Sequence, residues 1–277
     1  MTTTDVISTD LASTLRRLKL SPISATLPER LSLARQQKMP HQDFLLLILQ
    51  DEATRRDSMA TSRRAQRANL DPSMIFEAWD ETAKVTYDKQ VLNELVSLRF
   101  VDARNHAAIY GPSGVGKTFM ASALGHAACR RGYSVIFTRH DKLLKSLKHA
   151  RLDNTHDAEL CKLLAVDLLI VDDFCLDALD AVESRDTYEI LVERHRAGSM
   201  VVTSNRDPEE WHSVFADPAR AQAAIDRFTN NAYDLVMGGE SYRQRQKPKV
   251  SGKETTAEVP PAAPGPRSRP RRKRGRR

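Results

Sequence analysis

The octapeptide Gly111-Pro112-Ser113-Gly114-Val115-Gly116-Lys117-Thr118 follows a short apolar run, Ala107–Tyr110, and precedes a stretch of helical composition, about 117–131. The pattern G-x4-G-K-[ST] in a strand–loop–helix setting is that of a phosphate-binding loop. Its glycines permit a tight turn whose backbone N–H groups converge on phosphate oxygens, and the helix N-terminus adds partial positive charge. Lys117 is then expected to reach the β- and γ-phosphates, and Thr118 to ligate Mg2+. Phe119, the next residue, is expected to border the bound nucleotide.

Downstream, short apolar runs alternate with helical stretches. The strand candidates are 107–110, 134–138, 168–172, 200–203 and 233–237, with helices expected at about 117–131, 141–150, 156–165, 184–197 and 217–231. This alternation predicts an α/β fold with a parallel sheet sandwiched by helices. Leu168-Leu-Ile-Val-Asp172-Asp173 reads as a strand buried on both faces that releases two carboxylates at its C-terminal edge, where ligands bind in such sheets. Asp172 is the expected Mg2+ ligand, through water, and Asp173 the general base for attacking water. The run 200–203 ends in Ser204-Asn205-Arg206; Asn205 either orients water against the γ-phosphate or simply forms a turn before Pro208.

The front of the chain reads as helices. Asp10 can cap a first one, Pro28 suits the start of a second over 29–38, and Pro40 opens a third that holds Phe44–Leu49 and then a basic stretch, 55–68. Arg55, Arg56, Arg63, Arg64 and Arg67 recur there at roughly helical spacing, as a solvated face or a DNA-contacting one. A connector with Trp79 and Tyr87 leads to a helix at about 90–100.

Charge separates the ends from the centre. Of 277 residues with net charge +7, positions 251–277 hold nine basic and two acidic ones, so the tail accounts for the whole excess. It is rich in Pro, Gly, Ser and Thr, which predicts disorder, and Arg271 and Arg272 belong to a run suited to a polyanion such as nucleic acid. Residues 1–70 carry a balance of +4 and residues 71–250 one of −4. The longest apolar run is the six residues Phe44–Leu49, far below the roughly 20 of a membrane span. The opening does not resemble a signal peptide. Three cysteines without a CxxC pair indicate neither a disulfide framework nor zinc. Together these features predict a soluble protein of a reducing, intracellular compartment.

The motifs GPSGVGKT, LLIVDDF and VVTSN, with the later DPARAQAAIDRF and GESYR, together resemble the AAA+ ATPases of the IstB/DnaC group, most of all the IstB-like helpers of insertion sequences. The resemblance covers about residues 10–245. It implies ATP and Mg2+ held between neighbouring copies of the chain, with Asn205 as a first sensor, Arg227 as an arginine finger donated to a neighbour, and Arg243 as a second sensor. Arg194 and Arg206 compete with Arg227 for that role. It also implies an inserted helical element, about 141–154, facing DNA; Lys142, Lys145, Lys148 and Arg151 recur there at three-residue intervals, as a DNA-facing row or a solvated face. Two departures stand out. Cys175 occupies a position that is usually glycine, and Asp173 one that is Glu in many AAA+ proteins, which suits slow hydrolysis.

The implied organisation is a helical segment 1–70, a connector 71–104, an AAA+ ATPase core 105–246 and a basic tail 247–277. The implied function is an ATPase that oligomerises on duplex DNA and assists a transposase, located in the bacterial cytoplasm at the nucleoid. A DnaC-type helicase loader is the alternative. A metabolic kinase fits less well, because no acceptor-substrate or lid motif is visible.

Overall fold

The computed structural model describes residues 7–242. Three helices lead: α1 (Thr9–Arg17), α2 (Ile23–Gln36) and α3 (His41–Arg67). Leu15, Ile23 and Leu27 form their small buried cluster, with Ile7, Leu20, Leu31, Phe44 and Ile48 packed against it. The apolar run 44–49 is therefore split by helical geometry: Phe44 and Ile48 turn inward, whereas Leu45, Leu46 and Leu49 are exposed.

Two helix starts in this front segment differ from the sequence expectation. The cap of α1 is Ser8, whose hydroxyl accepts from Leu11 N, rather than Asp10. Pro28 lies inside α2 instead of starting it. The turn bonds Ile23 N to Leu20 O, Ser24 N to Ser21 O and Ala25 N to Pro22 O start the helix about a turn and a half earlier. That earlier start is what buries Ile23 and Leu27, and it outweighs the bond that proline cannot donate.

Beyond α3, a two-residue strand β1 (Val85–Thr86) precedes α4 (Lys89–Val96) and α5 (Arg99–Asp102). The single helix expected at 90–100 is broken because Leu98 adopts a left-handed φ of 59° and is buried in the main core. The central part then alternates, with two helices in one crossover: β2 (His106–Tyr110), α6 (Lys117–Arg131), β3 (Val135–Arg139), α7 (His140–Leu152), α8 (His156–Ala165) and β4 (Leu168–Asp172). It continues through α9 (Ala181–Arg194), β5 (Ser199–Ser204), α10 (Pro218–Thr229), β6 (Ala232–Val236) and β7 (Gly238–Gly239).

Strands β2 to β6 make one parallel sheet in the order β3-β4-β5-β2-β6. Every residue of β4 and β5 is buried, as expected of strands covered on both faces. One core lies between the sheet and α3, α4 and α6; the other lies between the sheet and α7 to α10. Helix α9 begins at 181, three residues before its expected start, because Asp180 and Glu183 form a reciprocal capping box. The helical front is tied to the core through α3, where Arg64 Nε donates to Cys129 O at 2.8 Å.

His106 sits fully buried in β2, its ring stacked on Phe228 at 5.0 Å and its Nδ1 accepting from Met200 N at 3.2 Å. Burial, with help from nearby Arg194 and His195, pushes its pKa from 6.5 down to about 4. The folded protein therefore resists a proton that the unfolded chain accepts. The stability this neutral ring contributes is complete above about pH 6.5 and is lost as pH falls toward about 4. His106→Asn, which keeps an acceptor without the titration, should flatten the fall of melting temperature across that window; an unchanged slope rejects the assignment.

Candidate functional site

The octapeptide joins β2 to α6 as expected, and its glycines are required by geometry. Gly116, at φ 96°, caps α6, and a Cβ there would come within 2.9 Å of the Trp79 ring. Gly114, at φ 89°, lies so close to Ser241 that an added Cβ would stand 2.1 Å from its Oγ. Lys117 is almost buried, its Nζ donating to the carbonyls of Gly111 and Pro112 at 2.8 Å each. Phe119 lies beside Trp79, with ring centroids 5.2 Å apart, and Tyr87 meets the same indole edge-on at 6.2 Å. The connector thus lays an aromatic cluster against the loop.

Thr118 and Asp172, 54 positions apart in sequence, meet directly: Thr118 Oγ1 donates to Asp172 Oδ1 at 2.9 Å. Thr203 Oγ1 donates to the same carboxylate oxygen from β5. Asp172 is only 5% exposed, and burial raises its pKa against the lowering effect of both hydroxyl bonds. This all-oxygen pair fits a small hard cation such as Mg2+, whose remaining ligands would be phosphate and water. Among the described residues no group of three or more His, Cys, Asp or Glu side chains could hold a metal by itself.

Asp173 follows in the left-handed region, at φ 53°. Its carboxylate is about one-third exposed, and Arg139 Nε approaches Oδ2 to 3.5 Å. Arg139 ends β3 opposite Asp172 in the strand register and also pairs with Asp141 at 3.4 Å. Asn205 leaves the end of β5, the strand between β4 and β2, and is exposed. The bond from Gly111 N to Ser204 O, at 3.3 Å, ties that strand end to the start of the loop.

The arginines separate clearly. Arg227 is exposed on α10 and donates to Ala223 O on its own helix at 3.1 Å. Arg194 is fully buried and donates to the carbonyls of Leu163, Leu164, Val166, Asp167 and Ser199, so it cannot reach a neighbour. Arg206 donates to Leu176 O at 3.4 Å. Arg243, Arg271 and Arg272 lie outside the described residues.

The basic rows fare unevenly. On α7, Lys148 is held by Asp180 and Glu183 at 2.8 and 2.7 Å, and Arg151 pairs with the buried Asp186. These two tie α7 to α9 rather than standing free on a solvated face; Lys145 is exposed, with Asp141 3.5 Å away. On α3, Arg55 and Arg56 both pair with the buried Glu52, and Arg64 is spent on α6, while Arg63 and Arg67 are exposed. Pairing of this kind depends on which helix packs alongside, which residue spacing does not report.

Sequence reasoning missed Thr203, Arg139, Trp79 as a loop contact, and the strap 238–242. The strap runs from the β1–β7 pair to the loop, where Tyr242 N donates to Gly114 O at 2.9 Å. Thr203 was within the quoted VVTSN, but only strand adjacency aims its hydroxyl at Asp172.

A family model described as IstB-like ATP binding protein matches residues 13–250. The chain belongs to the IstB-like ATP-binding protein family. An insertion-sequence ATP-binding protein of Mycobacterium tuberculosis is 36% identical over 239 residues, 86% of this chain and 95% of that one. An IS21 ATP-binding protein of Pseudomonas aeruginosa is 31% identical over 241 residues, covering 87% and 91%. Among solved structures, DnaI aligns with TM-score 0.51 at 22% identity, over 64% of this chain and 94% of that one. Nucleotide-bound DnaA from Aquifex aeolicus aligns with TM-score 0.50 at 21% identity, covering 60% and 50%. These likenesses give this IstB-like chain the P-loop AAA+ fold. No helix among the described residues is long and apolar enough to cross a membrane.

Trp79 contacts the loop, whereas Trp211, the other tryptophan, is fully buried in the opposite core. Adding ATP and Mg2+ should shift the emission of wild type and of Trp211→Phe but leave Trp79→Phe silent. An equal response in Trp79→Phe would remove Trp79 from the nucleotide site.

Proposed function

We propose that this protein is an ATP-hydrolysing AAA+ switch that assembles on duplex DNA and assists an insertion-sequence transposase. The observation that carries the reading is the direct meeting of Thr118 and Asp172 beside Lys117. In this reading the loop amides and Lys117 hold the phosphates, Thr118 and Asp172 hold Mg2+, and Asp173 and Asn205 position the attacking water. Arg227, exposed and away from the buried core of its own subunit, completes the site of a neighbouring copy. Arg243 serves as the second sensor in this reading. The transposase assignment is supported by the insertion-sequence relatives, and nucleoid-associated action in the cytoplasm accompanies it. A DnaC-type loader is the competing reading; co-purification with transposase rather than replicative helicase separates the two.

Lys117→Ala should abolish nucleotide-dependent assembly, read by light scattering. Arg227→Ala should keep nucleotide affinity within about twofold while turnover falls on the order of a thousandfold. Mixing these two variants should restore part of the activity, because some interfaces then combine an intact loop with an intact finger. Absence of any recovery would sink the trans assignment.

For DNA, the exposed Arg63 and Arg67 are the stronger candidates; Lys145 on α7 and Arg271 and Arg272 of the tail are further ones. Arg63→Glu with Arg67→Glu should weaken duplex binding and flatten its salt dependence, each lost phosphate contact lowering the slope by about one. Lys148→Ala and Arg151→Ala should instead lower melting temperature, since their heads bind α9. A flattened salt slope from the second pair alone would reverse this assignment.

A further inference from the structure

The turn after β4 carries two left-handed residues that are not glycine: Asp173 at φ 53° and Cys175 at φ 52°. Such a turn persists only where its surroundings hold it. From one side β5 holds it. Asp173 N donates to Thr203 Oγ1 at 3.1 Å, Phe174 N to Thr203 O at 2.7 Å, and Ser204 Oγ donates to Phe174 O at 3.0 Å. From the other side stands His140, the first residue of α7 and only 5% exposed. Its Nδ1 accepts from Cys175 N at 3.3 Å, and its ring lies on Phe174 at 4.7 Å between centroids.

The proton placement on this imidazole follows from its other neighbour. Thr187 Oγ1 donates its one hydrogen to Glu183 O at 2.8 Å. The same oxygen lies 3.1 Å from His140 Nε2, so it accepts there, and Nε2 carries the hydrogen. Nδ1 is then left with its lone pair, which is what the Cys175 amide needs. Burial keeps the ring neutral, with a pKa pushed down to about 4. The chain of donors runs from Cys175 N–H to His140, from His140 to Thr187, and from Thr187 to the α9 backbone.

We propose that His140, its tautomer set by Thr187, is a positioning residue that holds the Asp173–Cys175 turn in register for ATP hydrolysis. The turn presents Asp173 two residues before the clamped amide, so loosening Cys175 leaves the turn, and with it the carboxylate, held from the β5 side alone and by Arg139. The role in turnover rests on the ATPase reading above; the clamp itself does not.

The test uses the full-length chain with Mg2+ and ATP. His140→Phe keeps the ring on Phe174 but removes the acceptor; His140→Asn returns an oxygen near the Nδ1 position. His140→Phe should lower kcat about tenfold with KM for ATP within about twofold, and His140→Asn should recover most of that loss. In the absence of nucleotide, hydrogen exchange over 173–176 should quicken in His140→Phe and not in His140→Asn. Thr187→Val, which frees the tautomer while leaving the imidazole in place, should quicken the same amides, and Thr187→Ser should not. If His140→Phe does not fold, the Thr187 pair decides.

Equal turnover in His140→Phe and His140→Asn overturns the proposal, as does exchange that is unchanged in both His140→Phe and Thr187→Val. If wild type hydrolyses no ATP under any condition, the functional reading fails while the exchange result still judges the clamp.

Discussion

A carboxylate taken out of water must find compensation, and Asp172 sets much of what surrounds it. Desolvating an ion costs several kcal/mol in a protein interior, and a hydrogen bond to a charged group returns about 1.5–3 kcal/mol. Asp172 has two such bonds, from Thr118 and Thr203, yet its pKa is still raised, so burial outweighs them. A divalent cation shared with Thr118 would reverse that balance. The same three side chains fasten the start of α6, the end of β4 and β5 to one another. The phosphate loop is therefore braced by the strands whose ends carry the chemistry.

The loop is braced on its outer side as well. The connector supplies Trp79 against Gly116 and Phe119, and the strap supplies Ser241 and Tyr242 against Gly114. Connector and strap pair with each other through Val85–Thr86 and Gly238–Gly239. Segments more than 150 positions apart thus converge on the same turn. The absence of Cβ atoms at Gly114 and Gly116 is what permits this closeness.

Basic residues in this chain serve two ends that composition cannot separate. Some are internal fasteners: Arg194 gathers five carbonyls, Arg151 neutralises the buried Asp186, and Arg64 joins α3 to α6. Others, such as Arg63, Arg67 and Arg227, stay exposed and available to another molecule. A fastener replaced by alanine leaves a buried partner unsatisfied and costs stability, whereas an exposed arginine can change with little effect on the fold.

The chain order of residues 105–242 determined the alternation of strands and helices, the phosphate loop and the pair of carboxylates, because each depends on local spacing and on a period of apolar residues. The expected strands agree with the observed ones to within a residue. Local signals failed where a longer-range contact outweighed them. Pro28 was absorbed into α2 by burial of its neighbours, and Leu98 broke a helix that its sequence would continue. Only the tertiary structure decided which cations were paired, that Thr203 and His140 hold the carboxylate turn, and that Trp79 covers the loop. Those outcomes depend on which elements become neighbours, and side-chain hydrogen bonds reach only about 3 Å, a distance at which sequence separation carries no information.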